Sequence, residues 1–145
     1  MEKRIIINIL NLQKKFPVKI ATFKKSARKT LLLQNKKSAR LSIVFVDNAA
    51  IKKLNNHFLK KNYPTDVLAF DSKDPDRPRT LLEGEIIISL DMAHANARLF
   101  KTTFLKETIL YMIHGILHLC GYADKTIMQK QKMRMKELSI LEKIL

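Results

Sequence analysis

The sequence predicts one α+β or α/β domain in which helices pack on a sheet of about four strands. Its 145 residues suffice for one core between two layers. Four short apolar runs alternate with segments of helical periodicity, and the helical segments gather late in the chain. No internal repeat is visible, and only three glycines and four prolines interrupt the chain. A second domain is therefore not expected.

The first part of the chain predicts two strands and two helices. Residues 4–10 are β-branched and apolar enough for a strand, and Pro17 is predicted to open a helix with one basic flank. Its periodic apolar residues are Ile20, Phe23, Ala27 and Leu31, and its basic flank is Lys24, Lys25, Arg28 and Lys29. Residues 41–46 predict the second strand, after which Asp47 is expected to cap a short helix that ends near His57.

The second part predicts two more strands and then helices alone. The strands cover residues 66–70 and 84–90, and an acidic, proline-bearing connector joins them. Asp91 is expected to cap the first of the helices. Three helical segments follow, at 92–100, from Leu105 to Leu117, and at about 127–145.

The charge balance indicates an anionic partner. Lys and Arg number 28 against 13 Asp and Glu, a formal charge of +15, and residues 1–40 hold twelve of these cations against one acid. Nucleic acid is the first candidate, and we expect an RNA surface that binds the phosphate backbone. The cations are not confined to one amphipathic helix, no apolar run spans a bilayer, and no signal peptide is evident. The single cysteine, Cys120, fits a reducing compartment, so a cytoplasmic protein is expected.

The segment HGILHLCGYADK, residues 114–125, has the pattern of a metal site. His114 and His118 are four residues apart on a predicted helix, so both imidazoles project from one face. Gly121 can end the helix in a left-handed conformation, which would bring the Asp124 carboxylate back as a third ligand. Three protein ligands leave a fourth position open, as in catalytic zinc sites.

Other interpretations of this segment remain open. Two histidines on an apolar helix are also compatible with core residues bonded to backbone carbonyls. Cys120 is interpreted as a small buried hydrophobe, because it would point away from the face that the histidines share. Gly115 stands where a zinc protease of the H-E-x-x-H type carries its general base, so peptide hydrolysis by that route is disfavoured.

Three stretches resemble the motifs of one protein family. HGILHLCGYADK is similar to the H-G-x-L-H-L-x-G-Y-D-H signature of the YbeY family, bacterial metal-dependent endoribonucleases of rRNA maturation. LNNHFLKKNYPTDVLAF, residues 54–70, is similar to L-N-x-x-[FY]-R-x-K-D-x-P-T-D-V-L-S-F. GEIIISLDMAHANA, residues 84–97, is similar to G-D-I-x-I-S-x-D-x-A. The order and spacing of all three hold over residues 54–124.

The resemblance implies a fold, a cofactor and partners. It implies an α+β domain over residues 1–145, with a mixed sheet and a metal site at the end of a long central helix. One Zn²⁺ ion would serve the cleavage of single-stranded RNA, in finishing the 3′ end of the small-subunit rRNA and in ribosome quality control. The implied partners are rRNA, the small ribosomal subunit and a ribosomal protein, with no membrane and no DNA.

Carried over residue by residue, the resemblance also implies site residues. His114 and His118 match the first two zinc ligands, and Asp124 falls where the family has its third, a histidine. If Ala123 is an insertion, Lys125 takes that position instead, but a lysine is a poor ligand, so Asp124 is chosen. Leu59 replaces an arginine of the family.

Three further residues are candidates for catalysis. Beside Leu59, Lys60 and Lys61 are expected to offer charge to a phosphate. Asp66 could orient water, but a carboxylate at the start of a strand is more often a cap or an ion-pair partner. An alternative from another class is a metal-binding ribosome assembly factor that binds RNA without cutting it. A third is a zinc hydrolase of another substrate, against which Gly115 argues.

Overall fold

The computed structural model describes residues 4–145, which form a four-stranded sheet and five helices. In chain order the elements are β1 (Ile5–Asn11), α1 (Ile20–Leu33), β2 (Ala39–Val46), α2 (Asn48–Leu59), β3 (Val67–Asp71), β4 (Leu82–Ser89), α3 (Leu90–Leu99), α4 (Phe104–Leu119) and α5 (Ile127–Ile144). The architecture confirms the predicted α+β fold.

The sheet is mixed, with strand order β1-β2-β4-β3. β1, β2 and β4 run parallel, and β3 lies antiparallel to β4 at one edge. Side chains alternate between the two faces, as the pleat requires. Ile86 and Ile88 of β4 belong to the main core, whereas Ile87 packs with Ile51 of α2 in a smaller cluster. The sheet is therefore covered on both faces.

Helix α4 is the centre of the main core. Ten of its sixteen residues are buried, and it contacts β3, β4, α1, α3 and α5. Gly115 allows this close approach, because a Cβ at this position would lie 2.7 Å from Cγ2 of Ile86 on the sheet. Within residues 4–145, no helix has both the length and the apolar character that crossing a bilayer requires.

The predicted start of α1 at Pro17 is wrong, because the helix begins at Ile20. The preceding residues are held in a turn by the Gln13 side chain, whose Oε1 accepts from the Phe16 N–H and whose Nε2 donates to the Phe16 carbonyl. Phe16 is in turn packed against the ring of Phe104, at a centroid distance of 5.2 Å. The basic flank of α1 is exposed as predicted.

The predicted cap of α3 is also wrong. β4 ends at Ser89 and α3 follows at once, so Ser89 is the N-cap and its Oγ accepts from the Met92 N–H at 3.2 Å. Asp91 lies in the first turn, where its carboxylate accepts from the Asn48 N–H and from Lys15. Asp91 thus connects α3 to the start of α2 and to the loop after β1 instead of capping its own helix.

Candidate metal centre

The two histidines of the predicted site lie on one face of α4, at its C-terminal end. α4 begins at Phe104, directly after its N-cap Thr103, whose hydroxyl accepts from the Lys106 N–H, and the helix continues unbroken to Leu119. His114 and His118 are one turn apart, with ring centroids separated by 4.6 Å. Both side chains are partly exposed, at 24% and 30%, so they are not core residues.

The end of α4 brings the chain back toward these rings. Gly121 has φ +102°, the positive value that glycine adopts without strain. Its N–H donates to the His118 carbonyl, and the Tyr122 N–H donates to the Leu117 carbonyl, which together form a Schellman motif. The reversal places Asp124 beside the histidines, as the sequence predicts.

Three donor atoms converge at this point. His118 Nε2 lies 3.0 Å from His114 Nε2 and 3.2 Å from Asp124 Oδ2, and His114 Nε2 lies 3.4 Å from the same oxygen. Ligands bound tetrahedrally at about 2.0–2.1 Å from a zinc ion lie about 3.3–3.4 Å apart. The triangle of these three atoms, here called the donor triangle, therefore fits a divalent metal ion.

A fourth residue, Glu137 of α5, supports the donor triangle and was missed in the sequence. Its Oε2 lies 2.6 Å from His114 Nδ1, on the side of the ring away from Nε2. Its side chain is only 8% exposed, and its other oxygen, Oε1, lies 3.5 Å from the Arg134 guanidinium. Burial by itself would lower the pKa of His114, but the Glu137 carboxylate, followed by Asp66 and Asp124, raises that pKa above its usual value.

Cys120 is not part of the donor triangle. It is the C-cap residue of α4 and packs against the main core. Burial raises the pKa of its thiol, which disfavours the thiolate that a metal would bind. The interpretation of Cys120 as a small hydrophobe is in line with this position.

A cavity of about 470 Å³ opens beside the donor triangle. Its walls come from the end of α2, the following loop, the edge strand β3 and α4. His114, His118 and Asp124 line it, as do Asp66 and Lys61. The structure thus brings two of the three predicted catalytic residues, Asp66 and Lys61, to the cavity that the donor triangle lines.

Lys60 is not brought to the cavity. It follows the last residue of α2 with φ 59°, a left-handed conformation that turns the chain out of the helix. Leu59, on the other side of it, does line the cavity. Of the two adjacent lysines, only Lys61 therefore lines the cavity beside the donor triangle.

The loop that carries Lys61 is anchored by a residue that the sequence analysis did not single out. Asn55 of α2 is buried, and its Nδ2 donates to the Tyr63 carbonyl at 2.9 Å. Tyr63 itself is about half exposed and lines the cavity. Asn55 thereby fixes the loop that forms one wall of the cavity.

Comparison with known proteins identifies the family. The family model of endoribonuclease YbeY matches residues 8–145. The endoribonuclease YbeY of Azobacteroides pseudotrichonymphae is 35% identical over 117 residues, or 81% of each chain, and that of Salinibacter ruber is 36% identical over 110 residues, 72% of this chain and 70% of the relative. A Thermotoga maritima protein solved in solution superimposes with a TM-score of 0.66 at 30% identity, covering 96% of this chain and 89% of the other. The chain therefore belongs to the endoribonuclease YbeY family.

Proposed function

We propose that this protein is a metal-dependent endoribonuclease that cuts single-stranded RNA. Its role would be the maturation of the small-subunit rRNA 3′ end and ribosome quality control in the cytoplasm. The observation that carries the proposal is the donor triangle, which lies in an open cavity in a member of an endoribonuclease family. Neither the geometry nor the comparisons favour the alternative of an assembly factor that has lost cleavage.

The residues of the cavity suit phosphodiester hydrolysis. His114, His118 and Asp124 would hold one Zn²⁺ ion, which when bound supplies Lewis acidity toward the phosphate and acidifies water. Lys61 would offset the negative charge that grows on the phosphate as the bond to the leaving oxygen breaks. Asp66 would orient water or accept its proton, since its carboxylate lines the same cavity.

The wider surface of the protein suits an RNA partner. Lys24, Lys25, Arg28 and Lys29 are exposed on α1. A cleft beside the edge strand β1 is lined by Arg4 together with Lys24, Lys25 and Arg28. Such cations bind phosphates without reading bases, which suits the rRNA of the small ribosomal subunit. A ribosomal protein is the second partner that we propose, on the family resemblance alone.

The proposal is tested by incubating the purified protein with single-stranded RNA. Cleavage should depend on added zinc, stop with a chelator and be lost in His114→Ala. His94→Ala is the matched control, because His94 lies on α3 and contacts Phe16 and Phe104 instead of the donor triangle. Tight RNA binding without cutting, in the zinc-loaded protein, would contradict the nuclease and favour the assembly factor.

A further inference from the structure

We infer that Glu137 is a positioning residue for the metal centre: it fixes the tautomer and ring orientation of His114, so that Nε2 offers its lone pair to the metal. The inference rests on the donor triangle of the proposed function. It concerns α5, a helix that contributes no ligand of its own. Arg134, one turn earlier on α5, supports Glu137 in this role.

The contact between the two side chains is short and protected from water. His114 Nδ1 and Glu137 Oε2 are 2.6 Å apart, and the Glu137 side chain is 8% exposed, against 38% for Asp124. A carboxylate can be buried to this degree only with partners for its charge. His114 and Arg134 are those partners.

The contact decides which nitrogen of His114 carries the proton. An ionised carboxylate only accepts hydrogen bonds, so Nδ1 must donate to Glu137. In the neutral imidazole, Nε2 then has no proton and presents its lone pair. That atom is the one that faces His118 Nε2 and Asp124 Oδ2, at 3.0 and 3.4 Å. The hydrogen bond therefore prepares His114 as a ligand before a metal arrives.

The position of Glu137 is set by the fold of α5. The buried residues of this helix are Met133, Glu137, Ile140 and Ile144, so Glu137 occupies a place in an otherwise apolar stripe. Thr126 and Gln129 form a capping box that fixes where the helix begins, at Ile127, three residues after Asp124. The ligand Asp124 and the residue that orients His114 are thus held by one continuous turn and helix.

The first experiment needs no variant. In the metal-free wild-type protein, ¹⁵N NMR of the His114 ring, recorded at a pH where the ring is neutral, reports its tautomer. We expect the tautomer with the proton on Nδ1. A ring with its proton on Nε2 would overturn the inference, even if the protein later proved to bind metal and cut RNA.

The second experiment compares two substitutions on α5. Glu137→Gln keeps the size of the side chain but removes its charge, and its amide can also donate to Nδ1 and favour the wrong tautomer. Zinc affinity, measured by competition with a chelator, should fall about 10- to 100-fold, and the His114 ring should show mixed tautomers. Glu142→Gln, at an exposed position on the same helix, should change neither.

The outcomes separate this inference from the proposed function. Glu137→Asp restores a carboxylate and should recover the Nδ1-protonated tautomer, at least in part, which a purely structural role of Glu137 would not require. Unchanged zinc affinity in a folded Glu137→Gln protein would overturn the inference. If the wild type binds no zinc, the metal centre fails, and the inference about His114 as a prepared ligand fails with it.

Discussion

Lys60 and Lys61 are adjacent in sequence, yet they lie differently with respect to the cavity. Lys61 lines it, while the left-handed conformation at Lys60 places that residue at the exit from α2. The resemblance alone could not choose between them, because it offered two lysines next to Leu59. Which of the two lysines lines the cavity depends on the backbone turn after α2. Asn55 stabilises the loop that follows this turn, because its side chain donates to the Tyr63 carbonyl, eight residues later in the chain.

Substitution of the two lysines should therefore have different effects. Lys61→Ala should lower the single-turnover rate of RNA cleavage about tenfold or more, because it removes a charge beside the reacting phosphate. Lys60→Ala should lower it far less, through long-range attraction alone. Equal losses of cleavage rate in the two variants would show that Lys61 is no more important than Lys60, although only Lys61 lines the cavity.

Asp91 links residues that are distant in the chain. Its Oδ2 accepts from the Asn48 N–H at 2.9 Å, and its Oδ1 lies 3.1 Å from Lys15 Nζ. Burial on its own would raise the pKa of this carboxyl, but the Asn48 N–H and then Lys15 lower it below its usual value. The ionised form of Asp91 therefore stabilises the folded protein.

This pKa shift predicts how stability depends on pH. Because the pKa is lower in the folded state, the stabilisation is present above the unfolded value of about 4 and is lost as the pH falls through the folded value. Asp91→Asn should lower the free energy of unfolding by about 1–2 kcal/mol at neutral pH. Denaturant unfolding should show this difference shrinking in acid. A difference that is constant from neutral pH to acid would contradict the account.

At the residue scale, local spacing predicted that the three side chains of the donor triangle converge, whereas it did not reveal contacts between residues far apart in the chain. Two histidines four apart share a helix face, and a glycine with positive φ reverses the chain, so His114, His118 and Asp124 could be found from the sequence. Glu137 is 23 residues from His114, and no spacing rule joins them. The signal for it was an acidic residue in the apolar stripe of α5.

At the scale of elements, the packing of α4 on β4 places the histidines. The two glycines at this contact, Gly115 and Gly84, have no room for a side chain: a Cβ on Gly84 would lie 2.7 Å from the Phe70 carbonyl and 2.8 Å from Leu119. Gly115 lies next to His114, so any displacement of α4 there also moves an atom of the donor triangle. This contact connects the core to the metal centre.

Gly115→Ala should destabilise the protein by about 1–2 kcal/mol, because overpacking against Ile86 exceeds the gain in helix propensity. Ile86→Ala alone creates a cavity and costs stability too. In the Ile86→Ala background, however, Gly115→Ala should cost much less, since the clashing methyl groups are gone. Unfolding free energies of the two single variants and the double variant measure the coupling. If the two destabilisations simply add, contact with Ile86 is not the reason why position 115 requires glycine.

The elements were predictable where the pattern was local and continuous. All four strands and five helices have counterparts in the sequence prediction, because apolar periodicity and β-branched runs report local structure. The start of α1 was predicted too early, since the Gln13 side chain that holds the preceding turn leaves no periodic signal. The strand order β1-β2-β4-β3 was not predictable from the residues, because it depends on pairing between strands far apart in the chain.

At the scale of the whole molecule, the formal charge of +15 is the main feature beyond the fold. The exposed flank of α1 and the cleft beside β1 concentrate part of it on one surface. A nuclease that binds the phosphate backbone releases counterions when RNA binds, so its affinity depends on salt. The excess of positive charge in the composition is therefore in line with RNA as the proposed substrate.

The affinity for single-stranded RNA should fall steeply with salt. If three phosphates are neutralised, the logarithm of the association constant should decrease with the logarithm of salt concentration with a slope of about −2. Lys24→Gln combined with Lys25→Gln should flatten that slope, whereas Lys143→Gln, in the last turn of α5, should not. Fluorescence anisotropy of labelled RNA with the metal-free protein measures this affinity at each salt concentration. A slope near zero would contradict an RNA surface of this kind.

A metal ion at the donor triangle is the central expectation for this protein. Anomalous diffraction at the zinc edge, from crystals of the zinc-loaded protein, tests this directly. We expect one ion per chain within about 2.0–2.2 Å of His114 Nε2, His118 Nε2 and Asp124 Oδ2, with Glu137 still hydrogen-bonded to His114 Nδ1. No anomalous peak at these three atoms under saturating zinc, or a peak elsewhere on the protein, would contradict it.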